Sequence, residues 1–188
     1  MVHDVSIYLG TKCNFNCSYC DRDYIKDNIG NQKLDPKNLG SIYRLLDEID
    51  TTDLKMLSFH GGEPFVYVKQ MDEILSKVDL DVVIFIQTNG SLISRNEKFL
   101  TKWKDRLRIS ISYDFSSQGI NRTAFDIHAA LELLKSLGIS AQVQSVIPMD
   151  NSFVNSKTLS SILELSERGL VDKVGLTLLR HIRGKDSF

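Results

Sequence analysis

Apolar positions along this chain switch period repeatedly. Val5, Ile7 and Leu9 alternate with Ser6 and Tyr8, the two-residue period of a strand. Five further short apolar runs predict strands: Met56–Phe59, Val82–Ile86, Leu107–Ile111, Val143–Ile147 and Val174–Leu179. Several are apolar at consecutive positions, which suits parallel strands covered by helices. Between them the period lengthens to that of helices. The first predicted helix opens at Asp35-Pro36, a cap followed by a proline whose missing N–H costs nothing there. It carries Leu39, Ile42, Leu46 and Ile49 on one face, and the second carries Val68, Met71, Leu75 and Val78. The third opens on Ser94-Arg95-Asn96-Glu97, the pattern of a capping box, before Phe99, Leu100 and Trp103. The fourth starts near Thr123, runs through Ile127, Ala130, Leu131, Leu134 and Leu137, and ends at Gly138. The fifth spans about Lys157 to Arg168, buries Leu159, Ile162 and Leu163, and ends at Gly169.

Strand and helix thus alternate and finish on a sixth strand. That order predicts an α/β fold, a parallel sheet with right-handed crossovers, as a single domain over residues 1–188. The one long polar connection is Asp21–Leu34. Loops of that length are commonly functional.

Composition narrows the class. Of 188 residues, 42% are hydrophobic and 25% charged, ordinary values for a globular protein. Lys and Arg number 23 against 24 Asp and Glu, a net charge of -1, so no global basic field holds nucleic acid. One basic stretch, Arg180, His181, Arg183 and Lys185, reads as a solvated end or as a phosphate contact. The longest apolar run, Val82–Ile86, is far short of the roughly 20 residues that span a bilayer. Met1-Val2-His3-Asp4 lacks a basic stretch leading into an apolar one. No membrane association and a cytoplasmic location are expected.

The chemistry concentrates in Cys13-Asn14-Phe15-Asn16-Cys17-Ser18-Tyr19-Cys20, which holds all three cysteines of the chain. An odd number of thiols within so short a span argues for a metal rather than a disulfide. Iron–sulfur clusters are normally held by four cysteines, so a four-iron cluster here leaves one iron open to a small molecule. The alternative is zinc, completed by His3, His60, His128 or His181.

With that triad the sequence resembles the radical S-adenosylmethionine superfamily. The spacing CxxxCxxC is the hallmark, with the aromatic Tyr19 before the third cysteine. Phe59-His60-Gly61-Gly62-Glu63-Pro64 after the second strand is similar to the family's GGEP motif. Gln87-Thr88-Asn89-Gly90 after the third is similar to its TNG-type segment, and Ser110-Ile111-Ser112-Tyr113-Asp114 ends the fourth, with Arg122 soon after. Each motif lies at the C-terminal end of a strand, the reactive face of β/α barrels. Six strands are too few for an eight-stranded barrel, and the family fold is a partial (β/α)6 barrel with helices on the outer face.

The resemblance implies a [4Fe-4S] cluster on Cys13, Cys17 and Cys20, with S-adenosylmethionine on the fourth iron. It implies that Gly61 and Gly62 let backbone approach the methionine, and that Glu63 meets its ammonium group. Arg122 is then the partner of its carboxylate, Asn89 and Ser112 partners of ribose or carboxylate, and Tyr19 and Ile147 neighbours of adenine. Asp114 is the candidate catalytic residue, unless it caps a turn. An external one-electron reductant of flavodoxin or ferredoxin type is implied. So is a substrate group linked to a nucleotide, a nucleic acid or a peptide. The lack of further cysteines argues against the auxiliary clusters that many peptide-modifying members carry. The GGEP and TNG-like segments are also similar to the enzyme that makes a deazapurine from a pterin, although Cys20-Asp21-Arg22 stands where that enzyme has Cys-Asp-Thr. Other readings are an activase that installs a glycyl radical on a partner and a non-catalytic iron–sulfur or zinc module. The open flank of a partial barrel calls for a cover, with Asp21–Leu34, a second subunit or a bulky substrate as candidates.

Overall fold

A computed structural model describes residues 2–20, 39–48, 52–77, 81–115, 118–119, 122–147 and 156–178. The strands are β1 (Asp4–Tyr8), β2 (Met56–His60), β3 (Val83–Thr88), β4 (Leu107–Ser112), β5 (Ser140–Ile147) and β6 (Lys173–Leu178). The helices are α1 (Leu39–Glu48), α2 (Val68–Lys77), α3 (Glu97–Trp103), α4 (Ile127–Ser136) and α5 (Ser156–Glu167). All neighbouring strands pair parallel, in the order β1-β2-β3-β4-β5-β6. This is the expected α/β architecture, in which each crossover carries a helix.

The two faces of the sheet differ sharply. On one, Ile7, Leu57, Phe59, Ile84, Ile86, Leu107, Ile109, Ile111 and Val143 are buried against Met71, Ile74, Leu100, Leu131 and Leu134 of the helices. The pleat sends their neighbours to the other face. There, register pairs Tyr8 with His60, Phe85 with Arg108, and Ser112 with Gln144. His60 and Phe85 touch with ring centroids 6.4 Å apart. Gln144 lies across Gly175 and donates from Nε2 to Thr177 Oγ1 at 2.6 Å. This second face is polar, and Tyr8, Gln87, Arg108 and Thr177 on it are exposed.

Four local expectations are corrected. The capping box at Ser94 does not form: Ile93–Asn96 is a 3-10 turn, α3 starts at Glu97, and Asn96 Nδ2 donates to Leu92 O instead. The fourth helix begins at Ile127 rather than near Thr123, because Asp126 caps it by accepting from His128 N at 2.9 Å. β5 begins at Ser140, three residues before Val143, since Ala141 continues the buried alternation. Leu159 and Leu163 of α5 are 54% and 59% exposed rather than buried. That helix buries Thr158 and Leu165 instead, and Leu176 on β6, which pairs on one side only, is 54% exposed as well. The Asp35-Pro36 start, Val78, Asp21–Leu34 and the Arg180–Lys185 stretch lie outside the described residues.

Candidate active site at the C-terminal strand ends

The cysteine loop leaves β1 and docks on the turn that follows β2. Leu9 N donates to His60 O at 2.8 Å, Gly62 N to Gly10 O at 2.8 Å and Glu63 N to Lys12 O at 2.9 Å. Lys12 N in turn donates to Tyr67 Oη at 2.9 Å. The glycine pair is required by this contact. A Cβ on Gly62 would stand 2.5 Å from Lys12 O and 2.6 Å from Thr11 O, and one on Gly61 2.7 Å from Gly10 O. Gly61 also sits at φ +152°, where side chains are rarely tolerated. The close approach that these glycines permit is therefore to the chain's own cysteine loop.

Glu63 closes the next layer. Its side chain is 0% exposed. Oε1 accepts from Phe65 N at 3.0 Å, capping the 3-10 turn Pro64–Tyr67, and from Thr88 Oγ1 at 2.7 Å. Oε2 accepts from Asn89 N at 2.8 Å. Burial raises its pKa, while these three donors and Arg122 oppose the rise. Glu63 thus ties the end of β2 to the end of β3.

Asn89, itself buried, ties that end back to the cysteines. Its Nδ2 donates to Asn14 Oδ1 at 2.9 Å and stands 3.9 Å from Cys13 Sγ. Its Oδ1 accepts from Ser91 N at 3.0 Å and Ser91 Oγ at 2.6 Å. Cys13 Sγ also accepts from Phe15 N at 3.3 Å. The three cysteines form no disulfide, and all are half-buried. Burial raises the pKa of Cys17, Arg122 lowers it, and the Cys20 and Cys13 thiols raise it further.

The third group joins Tyr19, Asp114 and Arg122. Tyr19 Oη donates to Asp114 Oδ2 and accepts from Arg122 Nη1 at 3.0 Å. Asp114 is buried, and its other oxygen accepts from Val146 N at 3.1 Å. Its backbone N–H donates to Gln118 Oε1 at 3.2 Å, across a sharp turn at Phe115, whose φ is 45°. Arg122 lies over the Phe15 ring at 5.9 Å. Its Nε is buried without a hydrogen-bond partner. Burial works against its charge, but Tyr19, Cys17 and Asp114 outweigh that and hold its pKa high. Tyr19 is pushed well above its ordinary range, by burial first and by Asp114 next.

The predicted residues therefore converge on one sheet edge. Cys13, Tyr19, Glu63, Asn89, Asp114 and Arg122 are linked by bonds or charge, and Ser112 ends β4 half-buried on the polar face. Ile147 closes β5. Among the described residues no three His, Cys, Asp or Glu side chains stand together as a metal-ligand set. Of the histidines named as zinc candidates, His3 contacts Asp53 O, His128 contacts Arg168 and His60 contacts Phe85, while His181 lies outside the described residues. Two features fit a cluster with S-adenosylmethionine. Three thiols lie on one braced loop, though their side chains are not drawn together as a set, and beside them a buried guanidinium N–H, a group that pairs with carboxylates, has no partner in the protein. Tyr67 and Gln118 escaped the sequence reading, and Thr88 and Asn14 stood in its motifs without a role, because common polar residues carry no signal before their partners are known.

Residues 7–151 match the family model described as the Radical SAM superfamily. The radical SAM cyclopropyl synthase TigE of Paramaledivibacter caminithermalis is 24% identical over 93% of this chain and 41% of its own length. A 7-carboxy-7-deazaguanine synthase of Methanocaldococcus jannaschii is 25% identical over 90% of this chain and 86% of its own length. The solved structure of histidine-tagged anSMEcpe with bound AdoMet superposes with a TM-score of 0.76, at 20% identity, over 100% of this chain and 52% of that one. The chain thus spans about half or less of two of these three.

Proposed function

The chain belongs to the radical SAM superfamily, enzymes that use a [4Fe-4S] cluster and S-adenosylmethionine, and from that premise we propose that it modifies or rearranges a group linked to a nucleobase, a nucleotide or a peptide. The observation that carries the reading is the cysteine loop braced on the Gly61-Gly62-Glu63 turn, with the orphaned Arg122 Nε beside it. When bound, the cluster and S-adenosylmethionine supply the reductive cleavage that yields methionine and a 5′-deoxyadenosyl radical able to abstract a substrate hydrogen.

The chain's own residues hold and orient. Cys13, Cys17 and Cys20 would hold the irons. The free edge of Arg122 takes the methionine carboxylate. By the resemblance Tyr19 and Ile147 are assigned to the adenine, and Ser112, half-buried at the end of β4, would serve the ribose. Glu63 and Asn89, spent on internal bonds, act one layer back by fixing the loop and the strand ends. Asp114 is likewise engaged, so it positions rather than attacks. The polar face of the sheet offers Gln87, Gln144 and Thr177 to a substrate rich in hydrogen-bonding groups. A nucleobase-like substrate is supported by the deazaguanine synthase, aligned over most of both chains. The electron comes from an outside flavodoxin- or ferredoxin-type reductant. No helix among the described residues is long and apolar enough to cross a membrane.

The test is anaerobic reconstitution with iron and sulfide, then incubation with S-adenosylmethionine, reductant, and either pterins and nucleotides or peptides. The expected result is 5′-deoxyadenosine and methionine, with more formed in the presence of the right substrate class. Arg122→Ala should weaken S-adenosylmethionine binding by about tenfold to a hundredfold, the loss of one charged hydrogen bond of about 1.5–3 kcal/mol. Protein that carries stoichiometric zinc and takes up no iron would sink the proposal.

A further inference from the structure

Tyr19, Asp114 and Arg122 are 95 and 103 residues apart from one another along the two bonds that join them, yet they form one directed chain. Val146 N on β5 donates to Asp114, Asp114 accepts from the Tyr19 hydroxyl, and that hydroxyl accepts from Arg122. A phenol can do both jobs because its oxygen donates once and still accepts. Phenylalanine would fill the same space and do neither. The Phe15 ring supports the guanidinium from another direction. The result is a largely buried cation with one N–H unpaired. Such a group is costly to desolvate unless something nearby needs its charge.

The neighbour that would use it is the cysteine loop: the guanidinium lies over the Phe15 ring and bonds to Tyr19, residues that stand between Cys13 and Cys17 and between Cys17 and Cys20. We propose that Tyr19 and Asp114 act as a clamp that fixes the Arg122 guanidinium as a positive charge beside the cysteine loop, and that this charge raises the reduction potential of the cluster. The inference rests on reading Cys13, Cys17 and Cys20 as cluster ligands. Reduction adds one electron from the outside reductant to the cluster and moves no proton. A fixed cation close by stabilises the added negative charge, and burial strengthens the effect. The Asp114 carboxylate opposes it and is itself engaged by Tyr19 and Val146 N. Tyr19 and Asp114 are positioning residues in this scheme.

The experiment uses the full chain, reconstituted anaerobically and kept free of S-adenosylmethionine. Iron and sulfide are counted first, and the cluster is then titrated against potential by electron paramagnetic resonance. Arg122→Gln should lower the reduced-to-oxidised ratio at a given potential at least tenfold, about 59 mV for a one-electron couple. Tyr19→Phe, which changes no charge, should move the midpoint in the same direction by a smaller amount, and Arg122→Lys should recover part of the loss. A merely structural role would alter cluster content or thermal stability and leave the midpoint in place. Equal midpoints in wild type and Arg122→Gln, at equal iron content, would overturn the proposal. A fall in Arg122→Gln without one in Tyr19→Phe would overturn the clamp. Wild-type protein that binds no cluster would overturn the ligand reading as well, and the iron count shows that before any titration.

Discussion

Gly62→Ala tests the bracing of the cysteine loop most directly. The new Cβ would stand 2.5 Å from Lys12 O, 2.6 Å from Thr11 O and 2.7 Å from the Lys12 carbonyl carbon. All three are backbone atoms, so no side chain can swing away. Contacts under 3.0 Å are essentially never seen, so the loop must retreat by about 0.5 Å or more. Gly62 has no positive φ, and the effect is therefore steric alone. Overpacking of this kind costs about 1–3 kcal/mol. The retreat also stretches the 2.9 Å bond from Glu63 N to Lys12 O, worth about 1 kcal/mol. The sum, about 2–4 kcal/mol, corresponds to a Tm about 4–16 °C lower for a chain of this size. Because Cys13 follows Lys12, iron uptake should fall in parallel. Thermal unfolding of the metal-free protein and iron content after reconstitution measure the two effects. Gly40→Ala in α1 is the control: nothing lies within 4 Å of its Cβ position, and the helix should gain up to about 1 kcal/mol. If Gly62→Ala unfolds within about 0.5 kcal/mol of wild type and loads the same iron, the bracing argument is wrong.

Three other outcomes are expected. Glu63→Gln keeps the volume but turns an amide N–H₂ toward a donor, so urea unfolding should show a loss of about 1.5–3 kcal/mol; wild-type stability would mean the three-donor arrangement is not there. Burial lowers the His60 pKa, so below its ordinary value of about 6.5 the unfolded chain binds more protons than the folded one. Stability should rise with pH in that window, and His60→Phe should flatten the slope; an unchanged slope would clear His60 of the effect. Leu165→Ala should cost about 2–5 kcal/mol, and Leu163→Lys less than about 0.5, because Leu165 is 1% and Leu163 59% exposed; equal losses by chemical denaturation would contradict that orientation of α5.

Much of this protein could be read without coordinates. Five of the six strands were visible as short apolar runs and β1 as an alternation, since periodicity records burial directly. The cysteine loop was legible because its three thiols lie within eight residues, where spacing alone constrains geometry. The GGEP and TNG-like segments were visible as motifs, but not what they do. The crowding at Gly62 comes from Lys12, and the donors on Glu63 come from Phe65, Thr88 and Asn89. The Tyr19–Asp114 bond spans 95 residues. Such pairs exist only once parallel register has brought five strand ends to one edge. The capping box at Ser94 failed because a local pattern competes with a 3-10 turn whose Ile93 is drawn into the core. Leu159 and Leu163 failed for a different reason. An amphipathic pattern tells which side of a helix is apolar, but only the packing of neighbouring elements decides whether that side is covered. Sequence thus determined the elements and the three-thiol motif, because both are local. Tertiary structure decided which groups are spent on one another and which N–H, on Arg122, is left over, because burial and pairing are properties of surfaces brought together.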